Sequence, residues 1–333
     1  MFKIIGSPHP KYLAATDILI GDMSNINYEF LLFDKPIILL ANDWVEKVFP
    51  DIGPKVKLKN LEKEILNAIQ YPNELSEDRK YWLSNTIEIG KKSATEKFID
   101  LILDKSKFRR PEFHFITGGN SVRETNIKPL ANEVKKRSYD FSVVKKIKEI
   151  NFSRKSNMVF VAAHFKDLPS FNFGYKVHID HDLKGIGSAN LNYAIWDYKR
   201  NDYFPNIDLH IVAGKAGLLR TEKVLGPLAD RIEIAGYPKG GDLLKLNTLE
   251  NKQAVFKELD LDMDFPLVTY APAGQYDFMK PGGSLNENVM KELEKLSRNN
   301  SFHILAKMKY KVDFKTKIKT ILKKIHPFQK KIY

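Results

Sequence analysis

The chain has no cysteine, so disulfides and thiolate metal sites are excluded, and a reducing compartment is compatible with that. No apolar stretch is long enough to span a bilayer. No signal peptide is expected, because residues 1–5 run straight into a strand-like segment. Acidic residues are in deficit: 41 against 54 Lys and Arg leaves a net charge of +13. Such a surface attracts polyanions, whether nucleic acid, anionic headgroups or a polyphosphate. No DNA-reading motif and no interleaving of aromatic with basic residues is present, so no specific nucleic acid is expected. What remains is a chain of 333 residues, 43% hydrophobic, long enough for two domains with separate cores.

The clearest unit is TDILIGDMSNINYEFLLFDKPIILL, residues 16–40. An apolar run of buried-strand length ends at Gly21, and a second follows Lys35-Pro36. Tyr28, Leu31 and Leu32 between them fall at helical spacing. The spacing predicts a βαβ unit with Ser24 at the helix N-cap and Asn25 and Asn27 in the same turn. Backbone N–H groups and the dipole at such a helix start favour an anion, so Ser24 and Asn25 are read as phosphate ligands. The plainer reading is an ordinary capped crossover.

Other elements follow by pattern. Residues 58–71 and 85–103 read as helices, 104–157 as a charged connector with a helix over 140–150, and 158–307 as strands alternating with helices. This predicts an α/β fold with parallel sheets. The expected segments are 1–110, a connector 111–157, a Rossmann-like domain 158–262, and 263–333. From Lys307 to Lys331 the only acid is Asp313. Ile318, Ile321, Leu322 and Ile325 fall there at helical spacing, so the stretch from Lys311 to Lys331 reads as a basic amphipathic helix. It can lie on an anionic membrane or pack on its own domain. His178, Asp180 and His181 could suggest a metal cluster, but side chains alternate across a strand, so no metal is expected.

Several segments resemble the CDP-glycerol glycerophosphotransferase family of teichoic-acid enzymes. Thr16-Asp17, the strand, Asp22-Met23-Ser24-Asn25, Glu29-Phe30 and Lys35-Pro36 are similar to its Asp-Tyr-Ser-Ser segment, with Met23 for Tyr and Asn25 for Ser. HDLKGIG at 181–187 resembles its His-Gly segment, with Asp182 after the histidine. GYPKGGDLL at 236–244 resembles its Gly-Tyr-Pro-Arg-Asn-Asp segment, and YAPAGQYD at 270–277 its Tyr-Ala-Pro-Thr-Trp-Arg-Asp segment. His326-Pro327 is similar to its later His-Pro pair, with residues 307–309 an equally good register. The family's last segment comes first here. Either the chain is permuted, with both ends making one domain in a shared sheet, or it holds parts of two tandem copies.

The resemblance implies two facing Rossmann-like domains of GT-B type, the donor domain assembled from both chain ends. It implies a transferase moving glycerophosphate or a related polyol phosphate from a CDP-linked donor to a lipid-linked or polymer acceptor. No cofactor is expected. The place implied is the inner face of the cell membrane, bound peripherally from the cytoplasm. His181 would be the base, with Lys184, Lys239 and His326 balancing phosphate charge. Asp22, Ser24, Asn25, Glu29, Tyr237, Pro238 and Asp242 would line the donor. Glu29 either holds a ribose or faces solvent, and Tyr237-Pro238 either binds or only shapes a turn. The alternatives are a GT-B glycosyltransferase using a nucleotide-sugar, and a non-catalytic basic protein that binds anionic lipid or nucleic acid.

Overall fold

A computed structural model describes residues 1–5, 10–22, 24–41, 45–46, 50–119, 121–152, 157–164, 167–180, 183, 207–225, 230–272, 285–299 and 301–307. The described strands form two six-stranded sheets, each parallel throughout. Both are α/β layers, and several strands are buried on both faces, which is why they read as unbroken apolar runs.

The first sheet joins distant parts of the chain. It contains β1 (Phe2–Ile5), β2 (Ile18–Gly21), β3 (Ile37–Leu40) and β4 (Lys55–Val56), with β11 (Leu267–Tyr270) and β12 (His303–Lys307). Their order is β1-β12-β11-β2-β3-β4. Helix α1 (Pro10–Ala15) leads into β2, and α2 (Ile26–Phe30) continues as a 3-10 turn, Leu31–Phe33. Alternation divides the strands. Leu19, Ile37 and Leu39 pack with Tyr28 and Phe30 of α2. Ile18, Ile20, Val268 and Ile304 pack on the other face with Leu61 and Ile65 of α3 (Leu61–Gln70). That face is also covered by α10 (Leu285–Asn299), through Val289 and Leu293.

The helices that follow β11 and β2 therefore lie on opposite faces, although the two strands are neighbours. A crevice opens at such a reversal, beyond the carboxyl ends of the strands, and it is the usual ligand position in this sheet type.

The second sheet has the order β10-β9-β8-β7-β5-β6. These are β5 (Glu112–Ile116), β6 (Phe141–Val144), β7 (Met158–Ala162), β8 (Tyr175–Ile179), β9 (Leu209–Val212) and β10 (Ile232–Ile234). One face packs on α5 (Ala94–Ser106) and α6 (Ser121–Lys136). The other carries an apolar cluster that includes Phe160 and Val212 and takes in Leu218 of α7 (Lys215–Leu225). The chain then forms α8 (Gly240–Lys245) and α9 (Leu249–Leu259) before returning to the first sheet.

Three expectations need correction. Residues 111–157 are not a plain connector, since they supply β5, α6 and β6, with β5 paired on both sides. Residues 141–144 form an edge strand rather than a helix. Phe141 and Val143 point outward, while Ser142 points in and bonds His114 at 2.8 Å, a period of two that neighbouring lysines obscure. Residues 85–103 are not one helix. Helix α4 (Ser76–Thr86) ends, the chain runs extended at Ile87, and α5 starts afresh from a Ser93–Glu96 capping box. The break lets Glu88 N–H donate to the Ala213 carbonyl at 2.9 Å, against the end of β9.

Asp17 anchors the joint between the chain's distant parts. Its carboxylate receives Lys252 of α9 at 2.7 and 2.9 Å and the Leu267 N–H of β11 at 2.8 Å. Both ion-pair partners are only about a quarter exposed. Asp17→Ala should cost about 1–3 kcal/mol, because it strands a backbone donor and an ammonium. Urea unfolding would measure this, and a Lys252→Met double-mutant cycle would isolate the pair.

Candidate functional site

The reversal of strand order lies at the carboxyl end of β2. Asn27 is fully buried and folds back on the strand, its Nδ2 donating to the Asp22 carbonyl at 2.6 Å. A Cβ on Gly21 would lie 1.8 Å from Asn27 Oδ1, so only glycine permits the approach. Asp22 is buried beside Tyr270, the last residue of β11. Burial, reinforced by the Asp22 charge, pushes the Tyr270 phenol well above its ordinary value.

The turn differs from the expected cap. Asn25, not Ser24, is the N-cap, and its side chain makes no capping bond. Ser24 Oγ accepts only a long 3.5 Å bond from the Ile26 N–H. The helix that follows has five residues before it tightens, so its dipole is short. Asn25 Oδ1 and Asn27 Oδ1 are buried without a hydrogen-bond partner among the described residues. An unmet acceptor costs about 1–3 kcal/mol, and a donor group arriving here would recover it.

Glu29, one turn further on, reaches the second sheet. Its Oε1 accepts from Tyr237 Oη at 2.8 Å and from Lys239 Nζ at 2.5 Å. Both partners follow β10, in the GYPKGG segment. Tyr237 and Pro238 are buried, and the Lys239 ammonium also lies 5.3 Å from the Tyr237 ring centroid. Burial alone would raise the Glu29 carboxyl. The Lys239 ammonium outweighs it, with help from Lys307 and the Tyr237 hydroxyl, and holds the group below the usual carboxylate range.

Around this pair an apolar cluster combines Tyr28, Phe30, Leu31 and Ala271 from the first sheet's side with Leu183, Ala213, Tyr237 and Leu243 from the second's. Residues following strands of both sheets thus meet, so the carboxyl-end loops of the two sheets face each other here.

Lys307 ends β12 at the same edge. It is half-buried and makes no hydrogen bond or ion pair among the described residues. Burial lowers its ammonium to about 8, with Glu29 pulling the value up and Lys239 pushing it down.

The structure thus brings Glu29, Tyr237 and Lys239 together, with Asp22, Ser24 and Asn25 on the adjoining turn. Asp242 stands apart: it is exposed and pairs with Lys245 at 3.7 Å, while Lys239 pairs with Glu29. His181, Lys184, His326 and the stretch from Lys311 to Lys331 lie outside the described residues. His178 stacks on His210 of the next strand, Nδ1 to Nδ1 at 2.8 Å, and no metal-binding group occurs among the described residues.

Asn27, which its spacing puts in the turn, closes on Gly21, and Lys307, in the alternative register for the family's His-Pro pair, ends β12. An open groove of about 410 Å³ beyond β10 shares no residue with this junction. Its walls include the ion pairs Lys97–Glu88 and Lys92–Asp100, so it carries little net charge.

Residues 8–51 match a family model described as CDP-Glycerol:Poly(glycerophosphate) glycerophosphotransferase. The match covers α1, β2, the Gly21–Asn27 turn, Glu29 and β3. This part of the chain is therefore similar to a glycerophosphotransferase. No curated protein and no solved structure matched the chain. No helix among the described residues is long and apolar enough to cross a membrane.

Because the Glu29 carboxyl is depressed in the folded state, its contribution is complete above the ordinary value of 4.5 and fades as pH falls through its lower folded value. Glu29→Gln should therefore lose about 3 kcal/mol at pH 7, because it leaves the largely buried Lys239 ammonium without its counter-charge. Its deficit against wild type should shrink below pH 4.5, as measured by urea unfolding across that range.

Proposed function

We propose that the chain is a transferase that moves glycerophosphate, or a related polyol phosphate, from a CDP-linked donor to a lipid-linked or polymer acceptor at the inner membrane face. The observation that carries this is the Glu29–Lys239–Tyr237 contact. It ties the glycerophosphotransferase-like turn of one parallel sheet to the carboxyl-end loop of another, across a reversal of strand order.

Strand order supports a GT-B arrangement with a permuted donor domain. Read from β11 through β12 and β1 to β4, the first sheet runs 3-2-1-4-5-6, the dinucleotide-binding order. Residues 2–56 and 267–307 share that sheet, which favours a permuted domain over two separate tandem pieces. The second sheet would then carry the acceptor side.

In this reading the acceptor hydroxyl attacks the glycerol-bearing phosphorus of the donor. A new P–O bond forms, the pyrophosphate P–O bond breaks, and CMP leaves. His181 takes the hydroxyl proton, and Lys239 with Lys184 and His326 offsets the charge on the leaving group. Glu29 holds Lys239 and Tyr237 rather than a ribose. Asp22, Ser24, Asn25 and Pro238 shape the donor's seat. The stretch from Lys311 to Lys331 would keep the protein at an anionic membrane.

Incubation with CDP-glycerol and with UDP-sugars, on acceptor-bearing membranes, tests the assignment. CMP release from CDP-glycerol is expected, falling roughly 10²-fold in Lys239→Met. UDP release instead would make the chain a sugar transferase. CMP release that survives His181→Ala would remove that residue from the mechanism.

A further inference from the structure

We propose that Lys307 is a ligand for the phosphate of the donor, its ammonium standing at the carboxyl edge of the first sheet beside the Glu29–Lys239 pair. This deepens the transferase reading and rests on it. Lys307 closes β12, the strand beside β11, and so stands at the carboxyl edge of the sheet where the strand order reverses. Its side chain has no hydrogen-bonded or ion-paired partner among the described residues, although it is half-buried. A buried ammonium normally pairs.

The carboxylate that acts on Lys307 is Glu29, whose hydrogen bonds go to the second sheet. Glu29 already accepts from Tyr237 and Lys239 on the same oxygen. The charged groups acting on Lys307 are Glu29 from α2 and Lys239 from the segment after β10. Among these three groups one carboxylate stands against two ammoniums, so an anion is the ligand that suits Lys307.

The same balance has a consequence in protons. Without ligand, burial holds the Lys307 ammonium at about 8. An anion seated against it must raise that value. Between the free and the bound values, binding therefore draws a proton onto the side chain, and above pH 8 affinity falls as pH rises. A CDP-linked pyrophosphate diester has no ionisation of its own in this range, so the proton would report the protein alone.

The test is calorimetry of CDP-glycerol binding to the full chain at about pH 8.5–9, in buffers of different ionisation enthalpy. Wild type should take up most of one proton. Lys307→Met should bind at least about tenfold more weakly and take up none. Lys307→Arg should bind within a few-fold of wild type, again without uptake, because its guanidinium stays charged. Arg also covers the case in which Met does not fold. Binding by wild type without proton uptake, or equal binding by Lys307→Met, would overturn the assignment while leaving the transferase reading in place.

If CDP-glycerol does not bind wild type, the transferase reading fails and Lys307 is judged on sulfate, which does not titrate here. Sulfate that slows trace acylation of Lys307 by acetic anhydride, read by peptide mass spectrometry, supports the anion site. Unchanged acylation overturns it.

Discussion

The pairing of β2 with β11 is the constraint on which the rest depends. Ile18–Ile20 lie against Val268–Tyr270 in parallel register, and Asp17 pins the join by accepting from both Lys252 and the Leu267 N–H. With that pairing, two neighbouring strands send their helices to opposite faces, the arrangement at whose carboxyl ends ligands usually bind. Asp22, Asn27 and Tyr270 are buried together at those ends only because the two strands are side by side. Shift either strand by one residue and every alternating side chain changes face, so that arrangement and the core would be lost together.

Around that frame, packing and electrostatics act on one another. Lys35 shows how the frame is held: its ammonium donates to the carbonyls of Ala14 and Thr16 at 3.0 and 2.8 Å, closing the end of α1 beside the start of β2. Burial lowers its ammonium, with Lys252 adding to the effect and Asp17 opposing it. Pro36 then fixes the chain's entry into β3. Arg79 does the same for α4. Buried to 2% exposure, it bonds Asp34 and the Pro72 carbonyl and ties that helix to the end of the 3-10 turn. Gly214 then allows the α4 end to pass, because a Cβ there would meet the Thr86 carbonyl at 2.5 Å. The two sheets are thus joined by packed elements as well as by the Glu29 contact.

How much of this could be read beforehand follows from where each signal lies. The unit from Thr16 to Leu40 was legible because its apolar runs, turn residues and Lys-Pro punctuation are all local. The start of α5 was also written in the chain, as Ser93 followed by Glu96. The apolar spacing of Ile87, Ile89, Ala94 and Phe98 ran across the break and masked it. Strand β6 was hidden because only Ser142 and Val144 of its four residues face the sheet's partly covered side. Sheet order was not legible from any local pattern, since parallel neighbours are joined only by long crossovers. The Glu29–Tyr237 bond spans 208 residues, and no periodicity announces such a pair. Family resemblance pointed to both segments without showing that they touch.

The separation of 250 residues between Asp17 and Leu267 bears on how the molecule assembles. Closing a chain of that length costs about 2 kcal/mol more entropy than closing a 20-residue crossover. The strands of the second sheet all lie between these two points, within 112–234, and can pair before the first sheet is complete. Once compact, that sheet shortens the effective tether between β4 and β11. On the ribosome, β2 and β3 would emerge long before the strand that completes their sheet, leaving an apolar flank of β2 open meanwhile. A compact second sheet would thus hold the two separated parts of the first within reach of each other.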